Sequence, residues 1–157
     1  VKYTINLSYK DIEYLRARFD DAQKNLNRMT DELCRRLAEM GLEKARVHFF
    51  NVTYDGTNDV SVSMEKRDGG YAVIANGQAV LFIEFGSGLI GFGHPEPHGM
   101  GPGTYPGKGH WNDPNGWYYA HGKKSHGNPP NMPMYTTVKE LEQELERMVK
   151  EVFDLYQ

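Results

Sequence analysis

The feature that most narrows what this chain can fold into is an apolar repeat near its start. Ile12, Leu15, Phe19, Ala22, Leu26, Met29 and Leu33 alternate in steps of three and four, and Leu37 and Met40 continue the series after one extra step of four. Such spacing puts every member on one stripe of an α-helix. Ser8 is placed to cap its start, with Asp11 reaching back as a shorter relative of a capping-box glutamate, and Asp11 and Glu13 suit the dipole of the first turn. From Ile12 to Met40 the helix would run about 42 Å, more than a compact domain of this size needs, so part of the stripe is expected to meet another subunit. Gly41 marks an expected kink or end, although 42–50 remains compatible with helix, and the helical region is assigned to 8–50.

Beyond Phe50 the period changes from 3.6 to two. Val52 and Tyr54, then Val60, Val62 and Met64, then Tyr71, Val73 and Ala75 alternate with polar residues, with turns at 55–59 and at Asp68-Gly69-Gly70. This predicts three antiparallel strands over 52–77, and a short edge strand at Val1 to Asn6. Asn76-Gly77 then delivers the chain to Ala79-Val-Leu-Phe-Ile-Glu-Phe-Gly-Ser-Gly88. Residues 79–85 read as a short helix or as a strand, and we favour the helix.

Glu84 is the focus of that run. Between Asp68 and Glu96 it is the sole Asp, Glu, Lys or Arg. A carboxylate among Phe82, Ile83 and Phe85 is costly to bury without hydrogen bonds, so it either reaches water or has a fixed partner. The nearest supply of amides is the glycine-rich turn after it, and Glu84 is expected to accept from amides near Gly86 and Gly88.

Residues 86–131 hold 12 of the 17 glycines, both tryptophans and five of the six histidines, with no credible helix. Ordinary connections are about 4 to 6 residues long, so a segment of this length has a job or a partner. Phe92, Tyr105, Trp111, Trp117, Tyr118 and Tyr119 are too many large rings to leave in water, so the segment is read as an ordered arm. Val138, Leu141, Leu145, Met148, Val152 and Leu155 then form a second 3-4 stripe. A helix is expected over 137–156, opened by Thr137 and Glu140 as a capping box.

Several functional classes are excluded by pattern. Gly86-Ser-Gly-Leu-Ile-Gly91 satisfies the dinucleotide fingerprint but is followed by Phe92-Gly-His-Pro-Glu-Pro97, which cannot supply the helix that binds pyrophosphate. Gly103-Thr-Tyr-Pro-Gly-Lys108 is one residue short of a P-loop and has Gly109 where Ser or Thr would hold magnesium. Ser87 lacks the frame of a nucleophile elbow. His94, Glu96, His98, His110, His121 and His126 are the alternative reading, a metal-dependent enzyme. Against it, prolines hold His94 and His98 extended, about 12 Å apart. A single-chain binding module using the exposed rings is a third reading.

With 18 basic and 21 acidic residues the net charge is -3, which offers no field for sequence-specific nucleic acid. The start of the sequence lacks a signal-peptide core and the longest apolar run is too short to span a bilayer, so no membrane is expected. One cysteine, Cys34, excludes an internal disulfide framework. The length predicts a single domain, 1–157, that buries about 70% of its unfolded surface.

At Phe82-Ile-Glu-Phe-Gly-Ser-Gly88 the chain resembles the head-tail joining, or tail-completion, proteins at the neck of long-tailed bacteriophages and prophages. The resemblance covers about Tyr71 to Phe153. Tyr71-Ala72 and 79–88 match its first parts, Trp117 the loop tryptophan, and Asn128-Pro-Pro-Asn-Met-Pro-Met134 the segment before the last helix. One departure is Tyr54-Asp-Gly-Thr-Asn-Asp-Val60, where many members carry Ala-Pro-x-x-Thr-Gly-x-Leu. The resemblance implies a non-enzymatic virion protein without cofactor, assembled in the bacterial host cytoplasm. Its implied partners are copies of itself in a ring or other homo-oligomer, connector proteins, and tail-tube or tail-terminator proteins. The expected fold is α+β, a long N-terminal and a C-terminal helix on a small antiparallel sheet. The expected structural and interface residues are Glu84, Phe85, Gly86, Gly88, Trp111, Trp117, Tyr118 and Tyr119.

Overall fold

The fold, seen in a computed structural model that describes residues 8–52, 58–88, 115–118 and 122–155, is α+β. Helix α1 spans Tyr9–Phe50, a rise of about 63 Å. Ser8 caps it as expected: its Oγ accepts from the Asp11 amide at 3.3 Å and donates to the Asp11 carboxylate at 2.6 Å. Gly41 does not end the helix, which runs through it to Phe50. It is buried where α1 is crossed by the last helix, and a β-carbon there would sit 3.1 Å from Leu141 Cδ1 and 3.5 Å from Val73 Cγ2. The glycine therefore allows the last helix and the strand carrying Val73 to approach α1 closely.

Two strands, not three, form the main sheet among the described residues. β1 (Ser61–Arg67) pairs antiparallel with β2 (Gly70–Asn76) in a register that runs from Arg67↔Gly70 to Ser61↔Asn76. Gly69, at φ 83°, makes the tight turn. Val52 belongs to the end of α1 instead of a strand, its amide donating to Phe49 O. Tyr54 and the Val1–Asn6 strand lie outside the described residues. Asn58 joins the two regions: its Nδ2 donates to Phe49 O at 2.6 Å and to Val52 O at 2.9 Å, and its Oδ1 accepts from the Val60 amide.

Residues 80–85 are helical, resolving the ambiguity at 79–85: α2 spans Val80–Phe85. Apolar strand residues cannot continue there because Gly77 and Gln78 turn the chain back over the sheet. Asp59, two residues before β1, fixes that turn by accepting from the Gln78 amide at 2.6 Å and the Ala79 amide at 3.0 Å. The core lies beneath, where Ala45 and Phe49 of α1, Val62 of β1, Ala79, and Ile83 of α2 are buried together.

The last helix, α3, spans Pro133–Asp154 and so begins four residues before the expected Thr137. Proline at the first position needs no hydrogen-bond partner for its nitrogen and has the helical φ built in. Thr137 lies inside the helix, buried, its hydroxyl donating to Pro133 O at 2.8 Å. Glu140 does not close a capping box. Its Oε2 accepts from Lys44 Nζ at 2.7 Å and Oε1 lies 3.2 Å from His48 Nε2, out of hydrogen-bond alignment, which ties α3 to α1. Among the described residues no helix is long and apolar enough to cross a membrane.

Two of these carboxylates link stability to pH. The Gln78 and Ala79 amides hold Asp59 below the usual aspartate range, and the hydrogen bond from Lys44 does the same for Glu140. A carboxylate whose pKa falls on folding stabilises the fold fully above its unfolded value, here 3.8 and 4.5, and loses that contribution as pH drops through the folded value. Thermal melts from about pH 5 to about pH 2 should therefore show steadily falling Tm, with a shallower slope for Asp59→Asn than for the parent. Equal slopes would show that Asp59 does not contribute.

Candidate functional site

The residues singled out around Glu84 meet at one place, the junction of α2, α3 and the two ends of the 86–131 segment. A six-residue helix leaves its last carbonyls without internal partners, and α3 leaves its first amides without acceptors. The chain sets one against the other. Phe82 O accepts from Asn128 Nδ2 at 2.9 Å, Ile83 O from the Asn131 amide at 2.9 Å, and Glu84 O from the Met132 amide at 3.2 Å. The Glu84 side chain extends the same set of acceptors: Oε2 accepts from the Met134 amide at 2.9 Å and Oε1 from the Tyr135 amide at 3.0 Å.

Glu84 thus has a fixed partner, the second of the two outcomes its apolar setting allowed, but the partner differs from the expected one. The amides come from the start of α3 rather than from Gly86 and Gly88. Met132, which precedes α3, has a left-handed φ of 51° and provides no side-chain cap. Pro133 has no N–H. The backbone oxygen and both carboxylate oxygens of Glu84 consequently take the three donors that Met132, Met134 and Tyr135 present. The negative charge also lies where the helix dipole is positive. Only 7% of Glu84 is exposed, so these bonds form away from competing water.

The turn after α2 completes the joint. Ser87 is fully buried, and its Oγ donates to Asn128 Oδ1 at 2.5 Å. Ser87 and Gly88 bridge antiparallel to Asn128 and Gly127. Gly88, at φ 60°, lies under the indole of Trp117, where a β-carbon would be 2.7 Å from Cη2. Trp117 belongs to β3 (Trp117–Tyr118), which pairs with β4 (Lys124–Ser125), while Gly127–Asn128 forms the short β5. Residues 86–88 and 127–131, the two feet of the arm, are therefore held against one another and against both helices.

This placement sorts the expected site residues. Glu84, Gly86 and Gly88 are buried within the joint and Phe85 is half-buried beside it. Trp117, one of the expected structural and interface residues, is 7% exposed and packs against Gly88 of its own subunit, whereas Tyr118 on the opposite face of the strand faces solvent. Trp111 and Tyr119 lie outside the described residues, as do Phe92, Tyr105, His94, Glu96, His98, His110 and His121. His126 is exposed beside Gly116. Among the described residues no three His, Cys, Asp or Glu side chains are grouped to hold a metal ion.

Sequence reasoning missed Ser87, Asn128 and Asp59 as members of this framework. Asn128 carried a signal, since an amide side chain immediately before Pro129-Pro130 is well placed to bond backbone that the prolines cannot serve. Within the joint, the Glu84 carboxylate and the Ser87 hydroxyl are both engaged by the chain itself. Comparison with protein families, with curated proteins and with solved structures finds no match to this chain.

Proposed function

We propose that the chain is a structural virion component of a tailed phage or prophage, of the kind that joins head to tail or completes the tail at the neck. It acts by self-association and by binding connector proteins and tail-tube or tail-terminator proteins, after assembly in the host cytoplasm. The observation that carries this reading is the use made of the Phe82–Gly88 signature. Its carboxylate is spent on the α3 amides, so the signature works as a joint that fixes the feet of a long arm. A general acid or base needs its carboxyl within reach of substrate, and Glu84 has both oxygens occupied in a buried setting. The same residues carry the resemblance to neck proteins, and Tyr118 and the exposed apolar half of α1 supply surface for neighbours.

The test is imaging of particles made by the phage or prophage that encodes the chain, with and without this protein. Loss should give filled heads and separate tails, and resupply of the protein should restore joined particles. Normally joined particles without it would overturn the reading. Stoichiometric zinc in protein purified without a histidine tag, with unfolding on chelation, would replace it with the metal-enzyme alternative.

A further inference from the structure

Among the described residues, the body of the fold leaves the apolar stripe on the first half of α1 exposed. The body of the fold meets α1 from about Asp31 onward: Lys66 Nζ reaches the Asp31 carboxylate at 3.0 Å, and Arg147 and Glu151 near the end of α3 line a groove with Arg35 and Arg36. N-terminal to that point α1 continues for about 30 Å. Along it Ile12, Phe19 and Leu26 are 52%, 69% and 56% exposed. Within the body, Leu33, Leu37 and Met40 of the same stripe are half-buried. In proteins most of the stability of an amphipathic helix comes from covering its apolar face.

We propose that this half of α1 docks on the same half of a second copy of the chain, side by side and parallel. Charge selects the occupant and the direction. With Ile12, Phe19, Leu26 and Leu33 at heptad position a and Leu15, Ala22 and Met29 at d, the flanking g positions are Asp11, Arg18, Asn25 and Glu32, and the e positions are Arg16, Gln23 and Thr30. In a parallel pair each Asp11 lies beside Arg16 of the other copy, Arg18 beside Gln23, and Asn25 beside Thr30. The pair has two attractions across the seam and no like charges. An opposed pair over the same stripe would instead put Asp11 beside Glu32, acid on acid, and lose the Asp11–Arg16 match. The seam rests on the chain's self-association but not on the virion setting, and a dimer through α1 in a protein that particles do not need would leave it standing.

The experiment uses the full chain with Cys34→Ser, so that the half-buried native thiol takes no part. Leu26→Cys in that background should form a disulfide dimer under mild oxidation, because position a faces its own copy in a parallel seam. Lys24→Cys, on the far side of the helix, should cross-link at least about tenfold more slowly. Sedimentation should show that Asp11→Arg or Arg16→Asp alone weakens the dimer about fivefold, and that the two together restore it. Phe19→Glu should weaken it by about a hundredfold or more with the circular dichroism of the body retained. Cross-linking only between Leu15→Cys chains and Leu26→Cys chains would mean an opposed pair and overturn the proposal. A strict monomer at millimolar concentration would overturn it too, whether the stripe is bare or covered by another segment of the chain.

Discussion

Glu84→Ala is expected to destabilise the protein by about 3 to 4 kcal/mol, lowering Tm by roughly 10 °C. The change removes the acceptor of two charge-assisted bonds and leaves the Met134 and Tyr135 amides facing a space with no replacement oxygen. Glu84→Gln keeps the shape and one acceptor but turns its NH2 toward an amide donor and gives up the charge at the start of α3. Its cost should be smaller, about 1 to 2 kcal/mol. Assembly should follow the same order, with Glu84→Gln partly competent at low temperature. A catalytic Glu84 would behave in the opposite way, since the glutamine variant would lose turnover while melting like the parent. Melting of both variants with the parent would remove the joint from the account.

Gly127→Ala should be at least as damaging, costing about 3 kcal/mol or more. Gly127 has a φ of 111°, which side chains rarely adopt, and a β-carbon there would fall 2.6 Å from Ser87 C and closer still to the Ser87 carbonyl oxygen. Both obstacles are backbone, and Ser87 is fully buried, so neither can swing aside. Gly122→Ala separates the two causes. Gly122 also has a positive φ, 81°, but none of the described residues lies within 4 Å of a β-carbon there, so its substitution should cost about 1 kcal/mol from conformation alone. The difference between the two variants measures how closely the feet of the arm must approach. Equal costs would mean that the Ser87–Gly127 approach is not part of what holds them.

The elements were legible where a local period or a local cap announced them. The stripe from Ile12, the cap at Ser8, the turn at Gly69 and the apolar alternation of β1 and β2 all appear where their spacing puts them. Where expectation failed, a distant partner had replaced a local one. Thr137 and Glu140 have the spacing of a capping box, yet α3 starts at Pro133 because Glu84, 50 residues earlier, already serves its first amides. Asp59 likewise serves the turn into α2 from 19 and 20 residues away. Spacing rules see three or four residues, and neither carboxylate is that close to the end it caps. The isolation of Glu84 among apolar residues announced that it needed donors, but not which ones. The packing of Trp117 on Gly88 was not legible either, because the two lie far apart in the chain.

Amide hydrogen exchange at Met134 and Tyr135 tests the central claim most directly, because those two N–H groups exist in the first turn of α3, where amides ordinarily exchange fast. In the parent protein both should exchange slowly, and Glu84→Gln should speed them by at least about tenfold while amides in the core-facing part of α1, around Ala45 and Phe49, stay protected. Fast exchange at Met134 and Tyr135 in the parent, or rates unchanged by the substitution, would contradict the claim that Glu84 locks α2 to α3.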